Sequence, residues 1–395
     1  MIPRRDIRLY NRLSGLIFSW IFNCEKENYP EKFTQRLSFY FEDGSVFLTG
    51  GGRQVFHLVF DNVNFDRGDE VVVPNYYLPV LVPIIKSKGL VPVFCDIDKS
   101  HLSVARDGVL EKISSDTRFV VIPHMFGHMG DVKSLVKEIK DKKEDVLVIE
   151  DCAHAFGSEN KDGKAGTFGD FSLFSFNYIK TLNTLEGGAL LVNNEKYSQK
   201  IKKDYNHNYK RQSKSGTVKK IVYYYFLLLV FKTPILIVLN LLLKSKRVKS
   251  GVKEIHNSHS KNWKKEKLSP FLSYIGYNEL LDFEEKQKII TESYQKYREK
   301  LNDNILEKQP KGTEVVWSKY FLTLIMGEDS STFNDKLFKR GIDVAIKDEV
   351  MGVCKWDDEL GCSLDVYSKI IQLPLHHKLS DSNIKRISEN INYLT

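Results

Sequence analysis

The sequence predicts an α/β protein with a mostly parallel sheet between helices, followed by a small α+β domain. From about residue 50 to 194, short apolar runs rich in β-branched residues alternate with amphipathic stretches, which is the pattern of βαβ units. Beyond that region the spacing becomes helical and later mixes one strand-like run with helices. With 395 residues, 42% of them hydrophobic, the chain is long enough for a large domain and smaller parts.

The predicted sheet is built from apolar runs joined by crossover helices. Four of these runs are clear strands: Val71 to Val73, Val91 to Phe94, Phe119 to Ile122 and Val146 to Ile149. The stretches between them have the length and spacing of helices: Tyr77 to Lys88, Gly108 to Ile113 and Asp131 to Lys140. Strands connected in this way lie parallel to one another.

The second half of the chain predicts a long helix and then the small domain. Apolar residues recur from Leu280 to Ile290 in a charged stretch that runs to about Leu301, as in a surface helix. A strand and two helices are predicted after it: Tyr320 to Ile325, Ser331 to Arg340 and Ser382 to Ile391. The chain therefore divides into four parts: an N-terminal segment (1–40), a large α/β domain (41–204), a basic insertion (205–267) and the C-terminal helix and small domain (268–395).

Composition excludes several classes of protein. Charged residues make up 28% of a chain that is also rich in large apolar residues, so it is globular and not disordered. The five cysteines are odd in number and never spaced as zinc ligands or as a redox pair, which indicates reduced thiols and no metal. No small-residue cleavage site follows the N-terminal apolar stretch, so we expect a cytoplasmic protein.

The net charge of +8 comes from one segment. Residues 205–267 hold 15 Lys and Arg against two acids, an excess of +13 that leaves the rest of the chain near −5. Because the basicity is local and no base-stacking motif accompanies it, we do not expect nucleic acid as a partner.

The insertion contains an apolar stretch from Ile221 to Leu243, of about 23 residues, nominally enough to cross a bilayer. Lys232 and Pro234 lie at its centre, where a charge is costly and a proline bends a helix. Its basic flanks favour a hairpin in one leaflet, with 219–249 on an anionic membrane surface and 227–230 and 235–239 in the acyl boundary. A helical pair packed on the protein body or on a dimer partner is the alternative.

Two residues near predicted strand ends suggest carbonyl chemistry. Asp151 directly follows an apolar run, and a carboxylate there can pair with a protonated pyridine nitrogen. Lys180 lies in a partly apolar loop, where an amine can attack an aldehyde. Taken singly, Asp151 also suits a helix N-cap and Lys180 a solvated surface charge. The spacing of both with Ser175 and the Gly187-Gly188 pair favours the chemical interpretation.

Four sequence blocks, in order, carry a family resemblance: Gly68 to Pro74, Pro92 to Asp98, Glu150 to His154, and Phe174 to Gly188. On these blocks the chain resembles the DegT/DnrJ/EryC1/StrS sugar aminotransferases, over roughly 50–200 and more weakly from about 268 to the end. The resemblance implies a fold type I enzyme with a mostly parallel, seven-stranded-type sheet sandwiched by helices. It also implies the cofactor pyridoxal 5′-phosphate.

The resemblance assigns roles position by position. Lys180 matches the lysine that holds the cofactor as a Schiff base, and Asp151 matches the partner of its ring nitrogen. His154 corresponds to the residue near the ring hydroxyl. The cofactor phosphate is expected on Ser175 and on the pair Gly52 and Arg53, at a helix N-terminus that favours an anion.

The chain departs from the family pattern at four of its positions. Arg53 replaces a threonine, and its guanidinium can still hold a phosphate. Tyr77 replaces another threonine beside the ring, and Leu78 stands where the family has a stacking aromatic residue, a role for which neighbouring tyrosines are candidates. Leu185 replaces a glycine.

Lys180 argues against the dehydratases of this family, in which histidine replaces the lysine. The resemblance therefore implies transfer of an amino group from glutamate to a nucleotide-linked keto sugar, in amino sugar or surface polysaccharide biosynthesis, by a homodimer. Two alternatives stay open: a non-catalytic or regulatory relative that keeps the fold, and an aminotransferase acting on a lipid-linked sugar at the membrane.

Overall fold

The computed structural model describes residues 27–232, 264–306, 322–346, 351–355 and 358–395, with 224–232 and 358 described by backbone alone. Its strands are β1 (Ser45–Thr49), β2 (Glu70–Pro74), β3 (Tyr76–Tyr77), β4 (Val91–Cys95), β5 (Ile97–Asp98), β6 (Ser103–Val104), β7 (Thr117–Pro123), β8 (Leu147–Asp151), β9 (Glu159–Asn160), β10 (Gly163–Lys164), β11 (Phe171–Ser175), β12 (Gly188–Val192), β13 (Lys210–Arg211), β14 (Glu266–Lys267), β15 (Leu322–Ile325), β16 (Ala345–Ile346), β17 (Gly352–Val353) and β18 (Ile370–Leu373). Its helices are α1 (Tyr29–Tyr40), α2 (Arg53–Phe60), α3 (Leu81–Ser87), α4 (Arg106–Lys112), α5 (Val132–Lys142), α6 (Glu195–Asn208), α7 (Lys214–Lys232), α8 (Pro270–Leu281), α9 (Phe283–Lys300), α10 (Asp303–Leu306), α11 (Ser330–Lys339), α12 (Gly361–Lys369) and α13 (Asp381–Leu394), with short 3₁₀ turns at Met125–Gly127 and Asp358–Leu360.

The large sheet confirms the predicted architecture. Seven strands lie in the order β1, β12, β11, β8, β7, β2, β4, and β12 runs antiparallel to both of its neighbours while the others are parallel. The short strands β13 and β14 extend the edge beyond β1. The four strands predicted from apolar runs are β2, β4, β7 and β8.

Both faces of this sheet are buried, as the near-continuous apolar runs require. Along β2, Val71 and Val73 belong to one apolar core, while Val72 between them belongs to the other. The side chains of β7 and β8 alternate in the same way. Helices α1 and α8 close one face through Phe33, Leu272 and their neighbours, and α2 and α3 close the other.

Two predicted helices have different bounds in the structure. The stretch predicted to begin at Tyr77 starts as β3, which pairs with β17, and α3 begins only at Leu81. Pro79 accounts for this, because the residue before a proline avoids the helical conformation. The predicted long helix is α9, which begins at Phe283 instead of Leu280, because Leu280 and Leu281 end the preceding helix α8 and Asp282 separates the two.

The small C-terminal domain has the predicted α+β composition. Strands β15, β18 and β16 form an antiparallel sheet, and α9, α11 and α13 enclose a third apolar core with it. Helix α12 links this domain to the large one, because Asp96 accepts hydrogen bonds from the backbone of Cys362 (3.0 Å) and Ser363 (2.8 Å) at its first turn.

The insertion begins with β13 and α7 and ends with β14. Among the described residues, no helix combines the length and apolar character needed to cross a bilayer. The predicted hairpin lies mostly outside the described residues: the side chains of 227–230 and the whole of 235–239 are not described.

Candidate active site

Three strand ends meet at one edge of the large sheet. In the register of the sheet, Gly188 at the start of β12 lies between Thr49 at the end of β1 and Ser175 at the end of β11. Asp151 ends the next strand, β8. Because ligands of open α/β sheets bind beyond the carboxyl ends of the strands, this edge is the candidate site.

Asp151 is buried and fixed by its neighbours. Its partners in register are Pro123 of β7 and Leu173 of β11. Its Oδ1 accepts a hydrogen bond from the backbone N–H of Ala153 at 2.8 Å, and its Oδ2 accepts one from the hydroxyl of Tyr77. The carboxylate is therefore held in one orientation at the sheet edge.

Opposing effects act on the charge of Asp151. Burial raises the pKa of this carboxyl above its usual range, while the hydrogen bond from Tyr77 and the positive charges of Lys180 and His124 act to lower it. Burial likewise raises the pKa of the Tyr77 phenol well above its usual value, and the charge of Asp151 adds to this, so Tyr77 keeps its proton and donates. A cation placed beside Asp151 would favour its ionised form.

Tyr76 and Tyr77, the two tyrosines considered for ring stacking, are fully buried in the same apolar core. Tyr77 reaches the site through its hydroxyl bond to Asp151, and its backbone pairs with Gly352 of the C-terminal part. Leu78 is half-buried against that core. Tyr77 thus connects the small-domain side of the chain to the Asp151 carboxylate.

His154 follows Asp151 by three residues and is buried. Its ring stacks on Phe126, with centroids 5.4 Å apart and planes 22° from parallel. Phe126 itself has φ of 58°, a left-handed conformation uncommon for a large side chain. This stack sets the plane of the imidazole next to Asp151.

Lys180 lies at the tip of the loop between β11 and β12. Backbone bonds from Phe176 to Gly187 (2.9 Å) and from Tyr178 to Leu185 (2.9 Å) continue the strand ladder toward it, and its own N–H donates to Asn177 at 2.8 Å. The Lys180 side chain is half-buried, and its charge acts on Asp151. Lys180 and Asp151 thus interact electrostatically, and their shared role in a cofactor site stays a prediction.

Leu185 shows why the family prefers glycine at that position. Its φ is 73°, in the left-handed region where a side chain costs about 1–2 kcal/mol. The Asn183 side chain holds this conformation by accepting the Leu185 N–H at 2.6 Å.

Gly51, Gly52 and Gly188 form a closely packed group between β1 and β12, which we call the cradle. A Cβ on Gly188 would lie 2.7 Å from the backbone of Gly52, and one on Gly52 would lie 3.1 Å from the Cβ of Ser175. A Cβ on Gly51 would meet nothing within 4 Å, so the space in front of this turn is open. The residues at the cradle thus approach one another closely while leaving room for a small group.

Helix α2 begins at this cradle with Arg53. The first N–H groups of a helix lack intrahelical partners and attract anions. Burial lowers the pKa of the Arg53 guanidinium, and the nearby charge of Glu186 opposes that shift. The turn therefore brings the start of α2 close to Ser175, and Arg53 adds a cation at the first residue of the helix, a set of groups that suits a phosphate.

Sequence reasoning missed a buried, hydrogen-bonded pair, His124 and Glu150, next to Asp151. Glu150 accepts the ring Nε2 of His124 at 2.7 Å and three backbone N–H groups, those of Gly166 (3.0 Å), Phe168 (2.7 Å) and Gly169 (2.6 Å). With Cys152 the two side chains form a buried cluster, but the Glu150 oxygens are already satisfied by these donors. The sequence carried a signal for this pair: Glu150 lies in a strand that is buried on both faces, and a buried acid needs hydrogen-bond partners.

The sequence matches a known enzyme family over most of its length. The model of the DegT/DnrJ/EryC1/StrS aminotransferase family matches residues 20–392. The chain belongs to this family. Aminotransferases of the family use pyridoxal 5′-phosphate, so the predicted cofactor is confirmed together with the family and the fold. A buried carboxylate that interacts electrostatically with a lysine, at a sheet edge where glycines meet a helix N-terminus, suits this cofactor.

Three similar proteins illustrate the range of the family. GDP-perosamine synthase of Escherichia coli O157:H7 is 34% identical over 177 residues, 45% of this chain and 48% of that protein. A dTDP-4-dehydro-2,3,6-trideoxy-D-glucose 4-aminotransferase of Saccharopolyspora spinosa is 30% identical over 168 residues, 42% of this chain and 43% of that protein. This chain therefore spans about half the length of these curated relatives. The crystal structure of the aminotransferase TlmJ from Streptoalloteichus hindustanus shares the fold across 100% of this chain and 98% of its own, with a TM-score of 0.76 and 20% identity.

Proposed function

We propose that this chain is a pyridoxal phosphate-dependent aminotransferase that transfers an amino group, with glutamate as donor, to a nucleotide-linked keto sugar. One observation carries the proposal: Asp151 ends β8 at the carboxyl edge of the sheet, and Lys180, on the loop that leaves the same edge between β11 and β12, acts on its carboxyl electrostatically, while Gly52 and Gly188 meet closely at that edge. When bound there, the cofactor supplies an aldehyde and an electron-withdrawing ring, which transamination requires.

Each residue of the site has a distinct part in this proposal. Asp151 pairs with the protonated ring nitrogen, and its two existing hydrogen bonds keep it oriented for that contact. His154 lies against the ring side of the site with its plane set by Phe126. Lys180 would hold the cofactor through Nζ, and its amine would serve as the group that accepts and donates a proton during transfer.

The phosphate is assigned to the cradle. Ser175, the N-terminal turn of α2 at Gly52, and Arg53 would hold it through hydrogen bonds and charge. Arg53 stands where a family threonine supplies a hydroxyl, so this chain binds the same anion with a longer, charged group.

The names of the relatives support a nucleotide-linked keto sugar as the acceptor. One relative is named for a GDP-linked product and another for a dTDP-4-dehydro sugar substrate. Both matches lie within less than half of this chain, so the sugar itself is left open by them.

A lipid-linked acceptor at the cytoplasmic face of a membrane is the second candidate. It is favoured by exposed apolar side chains on α7, namely Val218, Val222 and Tyr223. Activity that needs a bilayer or detergent would distinguish this second candidate.

The absorbance of the loaded enzyme tests the proposal directly. We expect a cofactor absorbance band that shifts when glutamate is added, and that returns when a nucleotide-linked keto sugar follows, because the two half-reactions interconvert two cofactor forms. A non-catalytic relative would bind the cofactor but show no shift with glutamate or with any other amino donor. That result would contradict the proposed function.

Replacing Arg53 tests the phosphate assignment. We expect Arg53→Ala to weaken pyridoxal phosphate binding about tenfold, since a partly buried cation is removed from a phosphate. Arg53→Thr, which restores the residue usual in the family, should recover most of the affinity. The measurement is the dissociation constant from an absorbance titration.

Pyridoxal, which lacks the phosphate, provides the matched control for Arg53. Its affinity should change by less than about twofold in Arg53→Ala, because the lost contact involves the phosphate alone. An equal loss for both ligands would place Arg53 outside the phosphate site.

A further inference from the structure

The two ends of the insertion meet at the glycine turn of the site. The buried side chain of Gln212 donates to the carbonyl of Gly50 at 3.5 Å and accepts the N–H of Ser269 at 3.2 Å. The N–H of Gly50 donates to the carbonyl of Glu266 at 2.7 Å. A Cβ on Gly50 would lie within 3.0 Å of both Gln212 and Glu266, so the insertion base packs tightly on the turn before Gly52.

Helix α7 of the insertion then brings a lysine to the active-site loop. Lys220 Nζ lies 2.7 Å from a carboxylate oxygen of Glu186, and the two side chains are 29% and 32% exposed. The helix is fixed on this side by its neighbours Thr217 and Ile221, which are 1% and 5% exposed, with Ile221 in the apolar core beneath. The ion pair is therefore held by the packing of α7 and is not a chance surface contact.

Glu186 lies next to the chain segment that touches the phosphate cradle. It precedes the Gly187-Gly188 pair, and the backbone of Gly188 touches Gly52. Its charge also acts on Arg53. A lone carboxylate in this position would repel a phosphate dianion and neutralise the arginine that attracts it.

We infer that Lys220 is a positioning residue of the cofactor site, which offsets the negative charge of Glu186 so that the net charge around Arg53 stays positive toward the phosphate. The inference rests on the proposed function and assigns the insertion a part in it. The side chains of Arg53, Glu186 and Lys220 have a net charge of one positive, and without Lys220 the net charge is zero. The insertion is thus an integral part of the phosphate side of the active site.

The test compares the affinities of the full chain for pyridoxal phosphate and for pyridoxal in four variants. We expect Lys220→Met to weaken pyridoxal phosphate binding about three- to tenfold, a moderate effect because the pair is partly exposed. Lys219→Met, which removes an adjacent exposed lysine, should change it by less than about twofold. Glu186→Gln alone should tighten binding, and the double variant should return within about twofold of the wild type, because the charge sum is restored.

Rescue by Glu186→Gln separates this charge effect from a merely structural one. If Lys220→Met binds as tightly as Lys219→Met, or if its loss persists in the double variant, the inference is overturned. If Lys220→Met does not fold, Glu186→Gln alone still tests the inference. Pyridoxal phosphate binding that is unchanged or weaker in Glu186→Gln would overturn the inference. If the wild-type chain binds pyridoxal phosphate no more tightly than pyridoxal, the proposed function is contradicted together with this inference. If the wild type prefers pyridoxal phosphate but Glu186→Gln does not rescue Lys220→Met, only this inference is contradicted.

Discussion

Replacing Lys180 by alanine is expected to lower kcat for transamination by about 10³-fold or more, because the variant loses both the covalent attachment and the proton carrier. The loop that carries Lys180 is held by backbone bonds between Phe176 and Gly187 and between Tyr178 and Leu185, so the substitution should leave the fold intact. The measurement is kcat with glutamate and a nucleotide-linked keto sugar, together with the absorbance of the bound cofactor.

Lys161→Ala is the control for this substitution. Lys161 is an exposed lysine in the turn between β9 and β10, and its loss should leave kcat within about twofold. If Lys180→Ala retained more than a tenth of the wild-type kcat while Lys161→Ala behaved normally, Lys180 would not be the residue that binds the cofactor.

Replacing Asp151 by asparagine is expected to lower kcat by about 10²–10³-fold, since an amide cannot provide the negative charge that stabilises a protonated ring nitrogen. The amide oxygen can still accept the N–H of Ala153, and the amide NH2 can donate to the Tyr77 hydroxyl, which reverses the direction of that bond. The loss should therefore appear in kcat. Asp107→Asn, an exposed acid in the first turn of α4, should leave kcat unchanged.

Stability should respond to Asp151→Asn in the opposite direction from activity. Burial raises the pKa of Asp151 in the folded chain, so ionising it costs folding free energy as the pH rises through the unfolded pKa toward the folded one. At neutral pH the asparagine variant avoids that cost, and its Tm without cofactor should equal or exceed that of the wild type. A lower Tm together with lower kcat would indicate a structural role for Asp151.

The large domain could be predicted because its signals are local. Strands β2, β7 and β8 are short apolar runs buried on both sides, and β4 is a similar run at the edge of the sheet. The lengths of chain between these runs suit crossover helices. Asp151 was predicted from its place directly after an apolar run, whereas Ser175 was predicted from its spacing to Lys180 and from the family resemblance; the structure places both at strand ends on one edge of the sheet. The predicted start of α3 was wrong at Tyr77, where pairing with the distant Gly352 outweighs the local pattern.

What the sequence could not provide were contacts between distant residues. The bond from Tyr77 to Asp151 joins residues 74 positions apart, and the Lys220–Glu186 pair joins the insertion to a loop of the large domain. No periodicity encodes such contacts, because they depend on how whole elements pack. The membrane hairpin stays a prediction, since most of its apolar residues lie outside the described part of the chain.

Borohydride reduction of the cofactor-loaded protein, followed by peptide mass analysis, most directly tests whether one lysine binds the coenzyme. Reduction makes the bond between the amine and the cofactor permanent, so the modified residue can be identified. We expect the added mass on the peptide that contains Lys180, and its disappearance when glutamate is added before reduction. Stoichiometric labelling of a different lysine, or no labelling of a protein that binds the cofactor, would contradict the account.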